Sequence, residues 1–274
     1  MTSHRQRNDR RDDRRGPVTT PPRGAASSHR RRSAEAISEW LWGWHAVSAA
    51  LRNPARPSPK GILATAERAR QLIDMLGANV RPEVSDNAAI ARRLPPGAVH
   101  QGVALHTPAL EPVTLEELAD PAKGFLLMLD QVTDPQNVGT IFRSAAAFGA
   151  RGVILQDRHA PPLAGALAKA AAGAIEQIPH ARAVNLSRAL ERLDKLGWRA
   201  VGLDGEAPGA LDAVLDGRPS VLVMGSEGEG LRRLVREHCD ALASIPMPGG
   251  FESLNVSAAA AVALYEMSRR TARR

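Results

Sequence analysis

The sequence predicts an α/β protein whose larger part is a mostly parallel sheet covered by helices on both faces. After Lys123, short and almost wholly apolar runs alternate with longer stretches in which apolar residues recur at helical spacing. Parallel sheets are built in this order, with a helix packed on the sheet between successive strands. The predicted strands cover residues 125–129, 152–155, 200–203, 221–224 and 243–246, and the predicted helices cover about 137–149, 164–173, 186–196, 231–239 and 254–268.

The chain divides into four parts by composition. Residues 1–37 have almost no aliphatic side chains and much Arg, Pro, Ser and Gly, which predicts a disordered tail. Residues 38–106 begin with clustered tryptophans beside a helical pattern and continue with short apolar runs and a second helix, which predicts a small α/β domain. Residues 107–122 carry three prolines and several acids, as an interdomain linker does. Residues 123–274 form the larger domain.

The net charge of +7 is concentrated at the two ends of the chain. Residues 1–37 hold ten arginines against four acids, and the last six residues hold four arginines. Between them, residues 38–268 hold 22 basic and 25 acidic residues, so the predicted folded part is slightly acidic. Arginine-rich ends can bind phosphate through counterion release, and they can equally serve as solubilising tails. Binding of nucleic acid therefore depends on a local basic patch, on an assembled dimer surface or on the tails.

Composition also excludes several classes of protein. Cys239 is the only cysteine, which excludes internal disulfides and cysteine-rich metal sites and favours a reducing, cytoplasmic location. The longest apolar stretch, residues 256–264, is far shorter than the roughly 18–20 residues that cross a bilayer. The arginine-rich beginning lacks the apolar segment of a secretory signal. We therefore expect no membrane association and, because no histidine has a partner at metal-ligand spacing, no metal.

The first of three candidate segments, residues 130–144, joins a predicted strand to a predicted helix. On a helical wheel, apolar residues fill one arc of that helix, while Asn137, Thr140, Arg143 and Ser144 fill the opposite one. A polar face that follows a strand can line a cleft, because parallel sheets bind ligands outside the carboxyl ends of their strands. The alternative is that Asn137 caps the helix and Arg143 is an ordinary solvated residue.

The second candidate segment, residues 224–231, reads Met-Gly-Ser-Glu-Gly-Glu-Gly-Leu and also lies between a strand and a helix. Its three glycines allow positive φ angles and close approach of the backbone to a ligand. The spacing is neither a dinucleotide fingerprint nor a P-loop, and Glu227 and Glu229 oppose binding of phosphate at the helix start. The segment therefore indicates a neutral or cationic ligand. The alternative is a tight turn whose acids favour the helix dipole.

The third candidate segment, residues 245–257, begins with Ile245-Pro246-Met247 and ends at an alanine-rich helix. Ser253, Asn255 and Ser257 cluster at the start of that helix, where helix capping is the alternative explanation. The usual signatures of serine hydrolases, zinc proteases and dithiol enzymes are missing from the sequence. Each of the three segments is ambiguous by itself.

Taken in order, the three segments resemble the motifs of the SpoU (TrmH-like) family of RNA ribose 2′-O-methyltransferases in the SPOUT superfamily. The resemblance is greatest to the branch that modifies guanosine in 23S rRNA. It extends over residues 123–270, and residues 42–104 resemble the substrate-binding domain of that branch. The residues that carry it are Asp134-Pro135-Gln136-Asn137-Val138-Gly139 with Arg143, then Gly225-Ser226-Glu227-Gly228-Glu229-Gly230, then Ile245-Pro246-Met247 with Ser253-Leu254-Asn255-Val256-Ser257.

The resemblance implies a fold, a cofactor and an assembly. Family members have a SPOUT-type parallel sheet with a C-terminal trefoil knot, a rare exception to unknotted connections, here preceded by a small L30e-like α/β domain that recognises RNA. They are homodimers and bind S-adenosyl-L-methionine within the knot. By motif position, the backbone of Gly225, Ile245 and Leu254 holds the cofactor. An apolar Met247 beside Ile245 suits a flat adenine, and the carboxylate of Glu227 or of Glu229 suits a sulfonium.

The resemblance also assigns catalytic residues. A ribose 2′-OH is a weak nucleophile, so transfer needs in-line placement against the sulfonium methyl and help in removing the proton. Family position favours Arg143 as the catalytic residue, but a guanidinium stays protonated in almost any site. We therefore expect Arg143 to bind the target phosphate and to stabilise developing alkoxide charge. Asn137, Ser253 and Asn255 then position the ribose and the cofactor.

The sequence thus predicts a cytoplasmic enzyme that methylates a ribose, that of a guanosine, in large-subunit rRNA. tRNA is the alternative substrate within the same chemistry, and the N-terminal domain favours rRNA. A non-catalytic RNA-binding assembly factor with the same fold is an alternative from another class, against which the intact Asn137, Arg143 and Ser253 argue. A Rossmann-type oxidoreductase is disfavoured by the missing GxGxxG.

Overall fold

A computed structural model of the 274-residue chain describes residues 39–250 and 253–272. The tail predicted at residues 1–37 lies outside the described residues. The described residues form two sheets, one in the N-terminal part (residues 39–106) and one in the C-terminal part (residues 107–250 and 253–272). No helix among them is long and apolar enough to cross a membrane. In the same ranges, no group of three or more His, Cys, Asp or Glu residues could hold a metal ion.

The N-terminal part is a four-stranded sheet with three helices. Its strands are β1 (Trp40–Trp42), β2 (Gly61–Ala64), β3 (Glu83–Val84) and β4 (Val103–His106), and its helices are α1 (Trp44–Arg52), α2 (Ala66–Leu76) and α3 (Asn87–Ala91). The strands lie in the order β1-β4-β2-β3, and β4 runs antiparallel to both neighbours. This part of the chain therefore combines a small mixed sheet with short helices.

The C-terminal part is built on six strands that are all parallel. They are β5 (Phe125–Leu129), β6 (Gly152–Gln156), β7 (His180–Ala183), β8 (Arg199–Leu203), β9 (Ser220–Met224) and β10 (Ala241–Ala243). The strands lie in the order β7-β6-β5-β9-β8-β10. Every residue of β5 and of β9 is buried, because helices cover both faces of the sheet centre. This arrangement is the parallel sheet that the apolar runs predict.

Helices from different positions in the sequence cover the two faces. They are α4 (Leu115–Ala119), α5 (Pro135–Ala147), α6 (Gly165–Ala171), α7 (Leu186–Lys195), α8 (Leu211–Val214), α9 (Arg233–Glu237) and α10 (Val256–Ala272). The buried side chains of α5, α6 and α10 share one apolar core with those of the N-terminal part, while α4, α7 and α9 pack into a second core on the opposite face. The predicted face of α5 is confirmed, since Val138, Ile141, Phe142 and Ala145 are buried.

The last strand lies earlier in the chain than predicted. Its predicted range, 243–246, is wrong: β10 pairs with β8 only through Ala241–Ala243. Ser244 instead forms backbone hydrogen bonds with Gly209 and Leu211, outside the sheet. Pro246 has no N–H to donate to a sheet ladder, so the apolar run beyond Ser244 cannot continue the strand.

Residues 107–122, predicted as a linker, contain a helix that packs on the sheet. α4 begins after Thr114, whose hydroxyl accepts a hydrogen bond from Glu117 N while the Glu117 carboxylate accepts one from Thr114 N. Val113 N donates to His180 O beside the edge strand β7, and Leu118 is buried in the second core. The segment therefore covers a sheet edge as well as connecting the two parts.

A buried ion pair and a close glycine contact join the N-terminal and C-terminal parts. Arg56 Nη2 lies 2.7 Å from Glu176 Oε1, and both side chains are only 3% exposed. A Cβ placed on Gly165 would lie 3.0 Å from the ring of Trp42, so the start of α6 accepts no larger residue beneath β1. Because either charge would be costly if it were buried here without the other, the pair fixes how the two parts fit together.

Candidate functional site

The three candidate segments follow strands of one sheet and lie at the carboxyl ends of those strands. Residues 130–134 follow β5, and the glycine-rich loop 225–231 follows β9. Residues 244–250 follow β10, and residues 253–255 precede α10. β5 and β9 are direct neighbours in the sheet, and β8 separates β9 from β10. Parallel sheets bind ligands at this edge, so the fold places the segments where a site is expected.

The first segment presents a polar helix face on which the side chains of Asn137 and Arg143 are not used to cap the helix. Asp134 caps α5, since its Oδ2 accepts a hydrogen bond from Asn137 N at 2.8 Å. The alternative in which Asn137 is the cap is therefore wrong, and its side chain is available for other contacts. Arg143 is exposed on the same helix and forms no hydrogen bond or ion pair with the described residues.

The third segment meets the first through a pair of asparagines. Asn255 Nδ2 donates a hydrogen bond to Asn137 Oδ1 at 3.2 Å. Asn255 Oδ1 accepts from Ser257 N at 2.9 Å and from Ser257 Oγ at 2.6 Å, which holds the amide at the start of α10. Ser253 is exposed and forms no hydrogen bond with the described residues, so it is not brought into this pair. Two of the four predicted catalytic residues are thus in direct contact, although they are 118 positions apart.

The second segment is a tight loop closed by its own backbone. Ser226 and Gly230 exchange two backbone hydrogen bonds, at 3.2 and 3.0 Å. A Cβ on Gly225 would lie 2.0 Å from the carbonyl carbon of Gly230, so only glycine allows this closure. Glu227 and Glu229 are exposed at the tip and form no ion pair with the described residues. Two free carboxylates at a strand end are a suitable environment for a cationic ligand.

A buried carboxylate that the sequence analysis did not single out fixes the end of this loop. Asp130, the residue after β5, is fully buried and accepts a hydrogen bond from Arg232 N at 2.9 Å and from Arg232 Nε at 2.7 Å. Its own N–H donates to Met224 O at the end of β9. The only sequence signal was an acid directly after a wholly apolar strand, which does not reveal a partner 102 positions away.

The remaining predicted cofactor residues surround the chain that leaves β10. Ile245 and Met247 are half-buried, and Leu254 is 38% exposed. Ile245 also lines a cavity of 540 Å³ between α8 and α10, together with Val262 and Tyr265. The other four predicted cofactor residues do not line this cavity. Among the described residues it therefore does not unite the predicted cofactor site.

Cys239, at the end of α9, is packed in the second core. Burial, with the nearby Asp240 and Asp130, raises the pKa of its thiol to about 12. Its Sγ lies close enough to Gly202 that a Cβ there would be 3.0 Å away. The cysteine is therefore a neutral packing residue, as the sequence predicts, and not a nucleophile.

Comparison with known proteins identifies the family. The model of the SpoU rRNA methylase family matches residues 124–265. The 23S rRNA (guanosine-2′-O-)-methyltransferase RlmB of Ralstonia nicotianae is 41% identical over 239 residues, which are 85% of this chain and 96% of that protein. The chain belongs to the SpoU rRNA methylase family. The predicted resemblance is confirmed.

A mycobacterial relative of this SpoU-family protein matches over a shorter range. An uncharacterized tRNA/rRNA methyltransferase of Mycolicibacterium vanbaalenii is 42% identical over 182 residues, or 65% of this chain. The chain spans 58% of the length of that relative. The similarity therefore covers only part of the relative's length.

Solved structures of the family resemble this chain over most of its length. AviRb of Streptomyces viridochromogenes in complex with AdoMet has a TM-score of 0.71 and 26% identity, covering 89% of this chain and 92% of that one. An AdoMet-bound rRNA methyltransferase of Sinorhizobium meliloti has a TM-score of 0.70 and 26% identity, covering 89% and 90%. Because the match covers 89% of the chain, it includes the N-terminal part as well as the parallel sheet.

Proposed function

We propose that this SpoU-family protein transfers the methyl group of S-adenosyl-L-methionine to the ribose 2′-OH of a guanosine in 23S rRNA. The observation that carries the proposal is the hydrogen bond between Asn137 and Asn255, which joins the first and third motif segments. The glycine-rich loop lies at the same edge of the sheet, because it follows β9. The Ralstonia nicotianae relative, named for this reaction, is matched along 96% of its length. A ribosomal RNA substrate places the protein in the cytoplasm.

The described residues fit the cofactor. S-adenosyl-L-methionine, when bound, supplies a methyl group on a positively charged sulfur. We assign the exposed carboxylate of Glu227 to this charge and the half-buried Ile245 and Met247 to apolar contact with the adenine. The backbone groups of Gly225 and Leu254 also bind the cofactor, as their positions in the family motifs imply. The closed loop at Gly225 supports this assignment, because it holds the backbone in one conformation.

The residues of the first and third segments act on the RNA. Arg143, exposed and unpaired among the described residues, binds the phosphate next to the target ribose and stabilises negative charge on the attacking oxygen. Asn137 and Asn255 orient the ribose hydroxyl for in-line attack. Ser253 lies on the approach to Asn255 and contacts the ribose or the cofactor. The proton of the 2′-OH leaves to solvent or to a phosphate oxygen.

We also propose that the chain beyond β10 forms the trefoil knot of the family. Ala243 O accepts a hydrogen bond from Asp204 N, while Ser244 bonds to Gly209 O and Leu211 N. Consecutive residues of an extended chain direct these groups to opposite sides, so the loop 204–211 surrounds the chain as it leaves the sheet. The chain then returns to α10 beside α5. A loop closed around the returning chain is what a threaded connection requires.

The domain organisation follows from the same reasoning. We assign residues 38–106 to an L30e-like RNA-binding domain, residues 107–122 to the connection, and residues 123–274 to the catalytic domain. The separate four-stranded sheet of the N-terminal part supports the first assignment. The arginine-rich tail of residues 1–37 precedes the RNA-binding domain.

We further propose a homodimer formed through α10. Val262 and Tyr265 are 46% and 51% exposed on this helix, and large apolar side chains that share an exposed face indicate a contact surface. Both line the 540 Å³ cavity that also includes Ile245. A partner protomer on this face therefore lies beside the proposed cofactor residues.

The decisive experiment is a methyl-transfer assay with labelled S-adenosyl-L-methionine. Purified protein is incubated in parallel with deproteinised large-subunit rRNA and with total tRNA, and ribose methylation is mapped. We expect transfer to one rRNA guanosine, lost in Arg143→Ala and in Asn137→Ala, while calorimetry shows nearly unchanged cofactor binding. The matched control is Arg188→Ala, because Arg188 is exposed on α7 against the opposite face of the sheet.

Each other outcome changes the proposal in a defined way. Transfer to tRNA alone identifies the alternative substrate, which the name of the mycobacterial relative includes. Cofactor binding without transfer to either RNA supports a non-catalytic assembly factor or a requirement for ribosomal proteins. Full activity of Arg143→Ala removes that residue from the mechanism. A chain that binds no S-adenosyl-L-methionine contradicts the proposed function as a whole.

A further inference from the structure

Trp44 and Arg68 form a stacked pair at the surface of the N-terminal part. The Arg68 guanidinium carbon lies 4.8 Å from the centroid of the Trp44 ring, and both side chains are half-buried. Arg68 Nε donates to Gln101 O at 3.1 Å, and Nη1 donates to Gln71 Oε1 at 2.6 Å. Nη2 has no partner among the described residues. The pair is therefore only half-buried, and its guanidinium keeps a free donor at Nη2.

A strained residue holds this pair in position. Gln101 has a φ of +55°, in the left-handed region that residues with long side chains rarely adopt. Its side-chain oxygen accepts a hydrogen bond from Trp44 N at 3.0 Å, while its backbone oxygen accepts the one from Arg68. Gln101 is exposed, so this strain does not arise from packing in a core. The positive φ belongs to the turn that the hydrogen bond from Val103 N to His100 O closes, and this turn fixes the position of the pair.

A lysine from the C-terminal part contacts the residue that precedes Trp44. The side chain of Lys169 in α6 lies against Gly43, where an added Cβ would be 2.5 Å from Nζ. Gly43 directly precedes Trp44 in the chain. Lys169 forms no ion pair with the described residues, and partial burial lowers the pKa of its ammonium group. A bound anion would compensate for that loss of hydration.

We infer that Trp44, Arg68 and Lys169 form a binding site for one unpaired nucleotide of the RNA substrate. Its base stacks on the Arg68–Trp44 pair, and its phosphate pairs with the Lys169 ammonium. Aromatic rings and guanidinium planes both stack unpaired bases, and a lysine neutralises phosphate as a point charge. The inference rests on the proposed function, because it takes the substrate to be RNA. It also supplies the local basic patch that a slightly acidic protein body needs.

The position of Lys169 connects this site to the catalytic helix. α6 packs against α5 so closely that a Cβ on Gly139 would lie 2.4 Å from Leu167 O. α5 carries Asn137 and Arg143, so a nucleotide held on α6 lies at a fixed distance from the ribose held on α5. The site therefore selects RNA in which an unpaired nucleotide occurs at one spacing from the target.

The test is filter binding of the full-length protein to labelled, deproteinised large-subunit rRNA at two salt concentrations. Trp44→Leu removes the aromatic ring and we expect affinity to fall at least about fivefold, while Trp44→Phe restores most of it. Lys169→Gln removes one phosphate contact, and we expect the slope of log affinity against log salt to become shallower by about one. Calorimetry on the same variants should show unchanged binding of S-adenosyl-L-methionine.

Two matched controls lie in the same domain. Trp40 is half-buried and stacked on His106, with ring centroids 4.8 Å apart. Lys60 is exposed and ion-paired with Glu39 at 2.8 Å. We expect Trp40→Leu and Lys60→Gln to bind rRNA within about twofold of the unsubstituted protein.

The outcomes separate this inference from the proposed function. Wild-type affinity of Trp44→Leu and Lys169→Gln, in a protein that methylates rRNA, overturns the inference and leaves the proposed function in place. An equal loss in Trp40→Leu, or no recovery in Trp44→Phe, also overturns it. If the unsubstituted protein neither binds nor methylates rRNA, the proposed function fails and the inference fails with it.

Discussion

Asp130 is a fully buried carboxylate, and both of its oxygens accept hydrogen bonds from Arg232. Removing the arginine leaves this charge without its partner, which for a buried pair costs about 3–5 kcal/mol. We therefore expect Arg232→Ala to lower the free energy of unfolding by about 3 kcal/mol, because the arginine itself is partly exposed. The glycine loop loses its fixed end, so affinity for S-adenosyl-L-methionine should fall about tenfold or more. Urea denaturation and calorimetry measure the two effects.

The next arginine along the chain is the control for this prediction. Arg233 pairs with Glu237 on the surface of α9, where the side chains are 77% and 50% exposed. Exposed pairs one helical turn apart contribute about 0.3–0.5 kcal/mol, so Arg233→Ala should hardly change stability or cofactor affinity. Equal effects of Arg232→Ala and Arg233→Ala would show that the Asp130 pair does not hold the loop.

His180 gives stability a pH dependence on the acid side. Burial, together with the charges of Arg182 and Arg56, lowers its pKa from 6.5 to about 4. The unfolded chain therefore takes up a proton near pH 6.5 and the folded protein only near pH 4, so stability falls as the pH drops through this window. The loss below pH 4 is about 3 kcal/mol. For His180→Leu, urea denaturation between pH 4 and 6.5 should give a free energy of unfolding that no longer falls by this amount as the pH drops.

His238 is the matched histidine for that experiment. It is partly exposed, and its hydrogen bond to Leu234 O and its pairing with Glu191 raise its pKa above 6.5. A raised pKa contributes stability below pH 6.5 and loses it as the pH rises through the folded value. His238→Gln should therefore still lose stability as the pH falls from 6.5 to 4. An unchanged acid slope in His180→Leu would contradict the assignment to His180.

At the scale of helices and strands, the sequence predicted best those elements that are apolar throughout. The strand predicted at 125–129 has the observed bounds, because five consecutive apolar residues are buried on both sides. β7 was missed, since His180 and Arg182 interrupt its apolar pattern and the strand lies at the sheet edge. β7 is placed by its pairing with β6 and by the hydrogen bonds of Arg182 to Asp157 O and of Val113 N to His180 O, whose partners are distant in sequence. Local patterns contain no such information.

The start of α10 carries two functions in one side chain. Asn255 Oδ1 caps the helix through Ser257, while its Nδ2 binds Asn137. Asn255→Ser retains a capping oxygen but is too short to reach Asn137. We expect a change in unfolding free energy below about 1 kcal/mol together with a roughly 10- to 100-fold fall in single-turnover methyl transfer.

Asn185 provides the control for the asparagine at α10. Its Oδ1 accepts a hydrogen bond from Arg188 N and caps α7, on the face of the sheet opposite α5. Asn185→Ser should match Asn255→Ser in stability and retain full activity. If both variants keep full activity, the asparagine contact does not position the ribose.

For the molecule as a whole, the sequence predicted the family and the site segments but not how the two parts fit together. Asn137, Arg143 and Asn255 stand in motifs that can be identified by their order alone. Arg56 and Glu176 stand in no motif, and their ion pair becomes visible only when the N-terminal part is placed on the turn that follows α6. Contacts between distant parts of a chain depend on shape, which a single sequence does not display.

The dimer proposed through α10 depends on apolar side chains that are exposed to solvent in a single chain. Val262 is 46% exposed, so Val262→Glu costs a single chain little but places a charge inside the proposed interface. We expect light scattering to give twice the chain mass for the unsubstituted protein and the chain mass for Val262→Glu, with methyl transfer lost. Val184→Glu, at a valine that is 73% exposed after β7, should remain dimeric and active. An active monomer would contradict the proposed dimer, because the cofactor residues would then be complete within one chain.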